Sequence, residues 1–136
     1  MKKYLTLAGI IFLSLLANAH GEDKPGPHGG HIKMPANFHT ELVPEIDGSF
    51  RIYLIDLQFQ NPSVQNSAVK VSLVSNKKKS SLNCFTMNDH FHCKGAKPFK
   101  KGTLIITATR NGTLATMDAK YSLPLKAFEL SNFCFA

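Results

Sequence analysis

Thr103-Leu-Ile-Ile-Thr-Ala-Thr-Arg110-Asn111-Gly112-Thr113-Leu-Ala-Thr-Met-Asp-Ala-Lys-Tyr-Ser-Leu123 holds two apolar-rich runs joined by Asn-Gly. A type I′ turn needs positive φ at both central residues, and Asn-Gly meets that need at low steric cost. The stretch therefore predicts a hairpin with strands over 103–110 and 113–123, closed by Pro124. The same pattern recurs upstream. Asp47-Gly48 separates runs at 38–43 and 50–59. In the second run Phe50, Ile52 and Leu54 alternate with Tyr53, Ile55 and Leu57, so both faces are apolar, as in a central strand. Asn61-Pro62 ends it. A strand is expected over 67–75 with Val69, Val71 and Leu73 on one face. A polar turn over 77–80, a second hairpin over 82–93 and a loop over 95–102 follow. About seven strands, with a turn roughly every eight to twelve residues, predict an all-β, antiparallel, immunoglobulin-like β-sandwich.

The chain before this domain reads differently. Residues 1–19 have the layout of a secretory signal: Lys2 and Lys3, an apolar run from Leu5 to Leu16, and Ala17-Asn18-Ala19 as a small-x-small cleavage site. The apolar run is short for a membrane span, so no transmembrane segment is expected in the mature form. The signal looks bacterial, so an exported protein is expected. The expected organisation is signal peptide 1–19, a His/Gly/Pro-rich arm 20–37, the sandwich 38–124 and a C-terminal tail 125–136.

Lys and Arg number 16 against 9 Asp and Glu, a formal charge of +7. Much of the excess lies in Lys77, Lys78, Lys79, Lys94, Lys97, Lys100 and Lys101. Attraction to an acidic partner or to anionic lipid head groups is one reading, and solvated lysines that keep the protein soluble are the other. Nucleic acid is not an expected partner. Arg51 and Arg110 are the only arginines past the signal, and base and phosphate readout lean on Arg.

Export makes disulfides possible. With Asn88-Asp89 as a two-residue turn, Met87 faces His90, Phe85 faces His92 and Cys84 faces Cys93, within disulfide reach. The alternative is that Cys84 and Cys93 serve as soft metal ligands beside His90 and His92, although thiolate sites usually show tighter spacing. Cys134 is left over.

The arm carries the chemistry. His20, His28, His31 and His39 fall within twenty residues, with Met34 among them and Glu22 and Asp23 near the start. Imidazole is the commonest ligand for transition metals, and a thioether adds a preference for reduced copper. Prolines and glycines break any regular structure, so the arm's shape must come from docking or from a metal. Gly29-Gly30 let the His28 and His31 rings turn to one side, though His-Gly-Gly-His also suits an inert tail. His20, as a mature N-terminus, offers its amino nitrogen and imidazole together. A two-residue Asp47-Gly48 turn puts His39 opposite Asp56, either a metal ligand with its orienting carboxylate or a pair tying two strands together. Met87, His90 and His92 form a further candidate group. No nucleophile triad, acid pair or phosphate loop is present, so no enzyme is expected.

The run Gly26-Pro27-His28-Gly29-Gly30, then Phe38-His39-Thr40-Glu41-Leu42-Val43 and Phe50-Arg-Ile-Tyr-Leu-Ile-Asp56, resembles the β-sandwich domains of heavy-metal efflux adaptors. It is also similar to stand-alone YtkA-like periplasmic domains. The resemblance covers mainly residues 26–60. It implies an immunoglobulin-like fold, a periplasmic location and a part in handling copper or related metals, with His28, His31 and His39 as the positions that carry over. The expected ligand is copper, with zinc or another divalent metal behind it, and the expected partner a metal-efflux or other envelope protein. The alternative is an envelope module that binds another protein through a sheet edge or its basic loops, without metal.

Overall fold

Ten strands pair antiparallel in two sheets in the computed structural model, which describes residues 24–128. The expected signal peptide, His20, Glu22, Asp23 and Cys134 lie outside those residues. The strands are β1 (His31–Lys33), β2 (His39–Pro44), β3 (Phe50–Ile55), β4 (Ala68–Ser75), β5 (Lys78–Ser81), β6 (Asn83–Thr86), β7 (Phe91–Lys94), β8 (Gly102–Arg110), β9 (Thr113–Leu114) and β10 (Ala119–Leu123). One sheet runs β1-β2-β3-β7-β6. The other runs β10-β8-β4-β5, with β9 also on β8. Leaving β1 and β9 aside, this order follows the immunoglobulin Greek key, so the predicted fold class stands.

Period-two alternation builds the core between the sheets. Leu42, Ile52, Leu54, Phe91 and Cys93 point inward from one sheet, and Val71, Leu73, Leu104, Ile106, Ala108 and Tyr121 from the other. The Tyr121 hydroxyl is satisfied inside this core by the Thr40 hydroxyl at 2.7 Å. Ile32, Val43, Tyr53 and Ile55 form a second buried cluster, which explains why β3 is apolar on both faces.

The Asn111-Gly112 hairpin forms as expected, with φ of 49° and 80° at the two turn residues and Arg110 opposite Thr113. Its second strand is not continuous. Thr109 faces Leu114, whereas Ile106 faces Ala119, so two extra residues bulge out between 115 and 118. Thr107 Oγ1 donates to Asp118 in the bulge, and Thr116 Oγ1 donates to the Pro35 carbonyl. The 82–93 hairpin has the expected register. Cys84 faces Cys93 and bonds to it with Cα atoms 4.1 Å apart, and the Met87 amide donates to the His90 carbonyl.

Three further expectations are corrected. The 77–80 segment is not a turn: Asn76 and Lys77, both at positive φ, make the turn, and Lys78–Ser81 is an exposed edge strand on β4. Polar edge strands lack the alternation that betrays buried ones. The arm is not wholly irregular, since His31–Lys33 adds a strand to β2 with Ile32 buried. The turn between β2 and β3 has three residues instead of two. The Glu45 amide donates to the Ser49 carbonyl, the Gly48 amide to the Glu45 carbonyl, and Gly48 takes φ 84°. Asp47 braces this turn by accepting from the Ser49 amide and hydroxyl, which holds its carboxyl below the ordinary aspartate range. The register moves by one residue, and His39 faces Ile55.

Candidate functional site

The arm lies across the outer face of the first sheet because one strand residue there demands partners. Glu41, on β2, points away from the sandwich core and has no exposure at all. A buried carboxylate is tolerable only if hydrogen bonds replace its water. The arm supplies them. The His28 and Gly30 amides donate to Oε1 at 2.8 and 3.0 Å, and His28 Nδ1 donates to Oε2 at 2.7 Å. Gly26-Pro27-His28-Gly29-Gly30 makes the turn that aims these groups. The Gly26 amide donates to the Gly30 carbonyl, the Gly29 amide to the Gly26 carbonyl, and Gly29 takes φ 78°. A Cβ on Gly26 would stand 2.5 Å from Glu41 Oε1, and one on Gly30 2.6 Å from the Leu42 carbonyl. Glycine lets the arm approach this closely.

His28 continues onto β3. Its ring stacks on Tyr53, 3.6 Å between centroids with 3° between planes, and its side chain keeps 28% exposure. Tyr53 is the residue opposite Glu41 in the β2–β3 ladder. Across the β3–β7 ladder His90 leans on the same Tyr53 ring at 5.1 Å, and its Nδ1 meets the Asp89 carboxylate at 2.7 Å. The Tyr53 hydroxyl accepts from Arg51 Nη1 at 2.7 Å, while Arg51 Nε pairs with Glu45. Burial raises the Tyr53 phenol above its ordinary value, with Asp89 and Glu41 adding to the effect against Arg51, so it stays protonated.

Two imidazoles therefore share one aromatic plate, each with a carboxylate on Nδ1. A carboxylate only accepts, so Nδ1 carries a proton in each ring, and the tautomer this selects has its lone pair on Nε2. Met87 lies across the turn from His90 and is exposed. His92 follows on the same outer face, opposite Arg51 and Phe85.

The other predicted site residues go elsewhere. His31 stacks on Phe128 at 4.4 Å, and partial burial followed by the Lys33 charge lowers its pKa. Met34 is exposed beyond the end of β1. His39 is buried, donates from Nδ1 to the Asp56 backbone carbonyl at 3.0 Å and stacks on Phe59. The predicted facing of His39 and the Asp56 carboxylate is thus corrected by the one-residue shift. Asp56 instead accepts from the Gln58 and Gln60 amides and from Asn61 Nδ2, and those bonds, the Gln60 amide first, lower its pKa. His28, His31 and His39 do not gather. Among the described residues no group of three or more His, Cys, Asp or Glu side chains is placed to hold a metal ion.

Sequence reasoning passed over Glu41, Tyr53 and Asp89. A signal for Glu41 was available: a lone acid among apolar residues in a strand needs a partner from outside its own ladder. The chain matches no protein-family model, no curated protein and no solved structure.

Proposed function

We propose that this is an exported metal-handling protein that binds or delivers a transition-metal ion in the periplasm, copper first and zinc or another divalent ion second. In this reading the ligands are Nε2 of His28, Nε2 of His90 and the Met87 thioether, in place of the His28, His31 and His39 set. The observation that carries it is the paired arrangement: both imidazoles have a carboxylate on Nδ1, and both lie on Tyr53. A carboxylate on one ring nitrogen orients the ring and raises the basicity of the other nitrogen, the usual support for a metal-bound histidine. A thioether beside two imidazoles suits Cu(I). The bound ion would supply the soft cation that the protein carries. The chain's own residues do the rest: Glu41 holds the arm on the sheet, Tyr53 sets the plane of the His28 ring, and Asp89 orients His90. The resemblance of residues 26–60 to YtkA-like domains supports the same chemistry, and the Cys84–Cys93 bond is compatible with export.

Titration with Cu(I), Cu(II) and Zn(II) tests it. The His28→Ala/His90→Ala variant should lose at least roughly ten-fold in affinity, and Glu41→Gln a comparable factor through the lost support. A His31→Ala/His39→Ala variant should bind like the parent. Equal, weak binding by all of them would remove the proposal. It would favour a second reading, a module that binds another envelope protein without metal. That reading draws support from the hydrogen bonds of the His28 and Gly30 amides to Glu41, a contact within the protein that docks the arm on the sheet.

A further inference from the structure

The pole of the sandwich away from the β6–β7 turn has a use that metal handling does not absorb. The fold brings three separate sequence segments together there. The β2–β3 turn meets the 95–101 loop at Gly48 and Pro98, where an added Cβ would stand 2.6 Å from the proline. The 95–101 loop leads into Gly102, which packs on the Val74 carbonyl and Ser75 beside the Asn76-Lys77 turn. Lys77, Lys78, Lys79, Lys94, Lys97, Lys100 and Lys101, seven of the chain's 16 basic residues, therefore share one end of the molecule, and all are exposed. Among the described residues none of the seven forms an ion pair. The nearby acids have other duties: Glu45 is paired with Arg51, and Asp47 braces its own turn.

Charge alone would suit solubility. Ile46 does not. It stands at the tip of the β2–β3 turn with 108% relative exposure, the most exposed large apolar side chain among the described residues. Next to the turn is a recess of about 380 Å³ whose lining includes Phe99, Leu123, Pro124, Leu125 and Lys100. An apolar tip, and an apolar recess walled by Lys100 and the Arg51-paired Glu45, at a pole that carries seven exposed lysines match a surface that is anionic outside and hydrocarbon just beneath.

The geometry points to this pole as a docking surface for an anionic phospholipid bilayer, with the lysines over the head groups and Ile46 inserted below them. Each lysine near such a surface contributes roughly a five-fold gain in partitioning, so several acting together bind without a transmembrane element. The sandwich would then stand on the membrane with the His28–Tyr53–His90 face on its flank, free of the contact.

Sedimentation tests this, using the protein as recovered from cells. Vesicles of equal parts phosphatidylglycerol and phosphatidylcholine are compared with phosphatidylcholine alone. Retention is expected on the anionic vesicles only and should fall as salt rises. Replacing Lys94, Lys97, Lys100 and Lys101 by Gln should lower it by roughly a hundred-fold or more, while Arg at the same positions preserves it. Ile46→Ser should lower it several-fold with all charges in place. Equal retention on neutral vesicles overturns the proposal, as does retention indifferent to either the Gln set or Ile46→Ser. Binding to immobilised polyglutamate without binding to anionic vesicles also overturns it, in favour of an acidic protein partner.

Discussion

His28 and His39 both stand beside an acidic residue, and the two neighbourhoods are built in opposite ways. His28 meets the Glu41 carboxylate itself, while His39 meets only the backbone carbonyl of Asp56. The cause lies in where each acid sits on its strand. Glu41 is in the middle of β2, where the ladder already uses the neighbouring amides, so its oxygens must find donors from another segment. Asp56 is at the end of β3, where the chain turns, and the amides of its own loop close on it. A mid-strand acid recruits a remote segment, and a strand-end acid organises its own turn. The first makes a site out of an arm, and the second makes a corner.

Breaking the His28 side has the largest expected effect. Glu41→Ala strands three donors at a buried position and should cost roughly 3 kcal/mol in urea unfolding, with the His28 and Gly30 amides losing protection from hydrogen exchange. Unchanged protection would mean that the arm is held by something other than Glu41. At the corner, Asp56→Ala should cause a smaller loss, without releasing the arm. Its sign with pH is set by the lowered folded-state pKa. The Asp56 contribution is present above the ordinary aspartate value and is lost as pH falls through the depressed one. Parent and variant stabilities should therefore converge in acid, and a gap that persists there would contradict this.

The smallest effect sharpens the comparison. Phe59 closes the Asp56 turn at φ 60°, the position that Gly29 and Gly48 fill in the two sister turns. An L side chain in that region costs about 1 kcal/mol relative to glycine. The Phe59 ring stacked on His39 at 4.3 Å returns a similar amount. Phe59→Gly should then sit within about 1 kcal/mol of the parent, and Phe59→Ala about 1 kcal/mol below the glycine variant, because alanine keeps the strain and loses the stack. Equal stability of the two variants would show that the backbone there is unstrained.

How legible a feature is in the residues differs from turn to turn. Asn111-Gly112 and Asn88-Asp89 announced their turns, because two-residue loops leave few choices of backbone and hence one register; the Cys84–Cys93 bond followed from the second. Asp47-Gly48 misled, since the same dipeptide also closes a three-residue turn, and one residue of slip was enough to undo the His39–Asp56 pairing. Lys78–Ser81 escaped notice because an edge strand with no buried face needs no apolar alternation. The histidines of the arm were conspicuous, but what they touch was not. His28 gains its partner from thirteen residues away and its stacking plate from β3, and only the folded register brings Glu41, Tyr53 and His90 into one row.

The β5 ribbon has one more consequence. It closes one flank of the second sheet with every residue solvent-facing and its outer amides and carbonyls open to a neighbouring chain. Lys78 and Lys79 on that ribbon make two copies repel before their backbones can zip together. Neutralising them by acylation would remove the guard against self-association while leaving the core of each copy untouched.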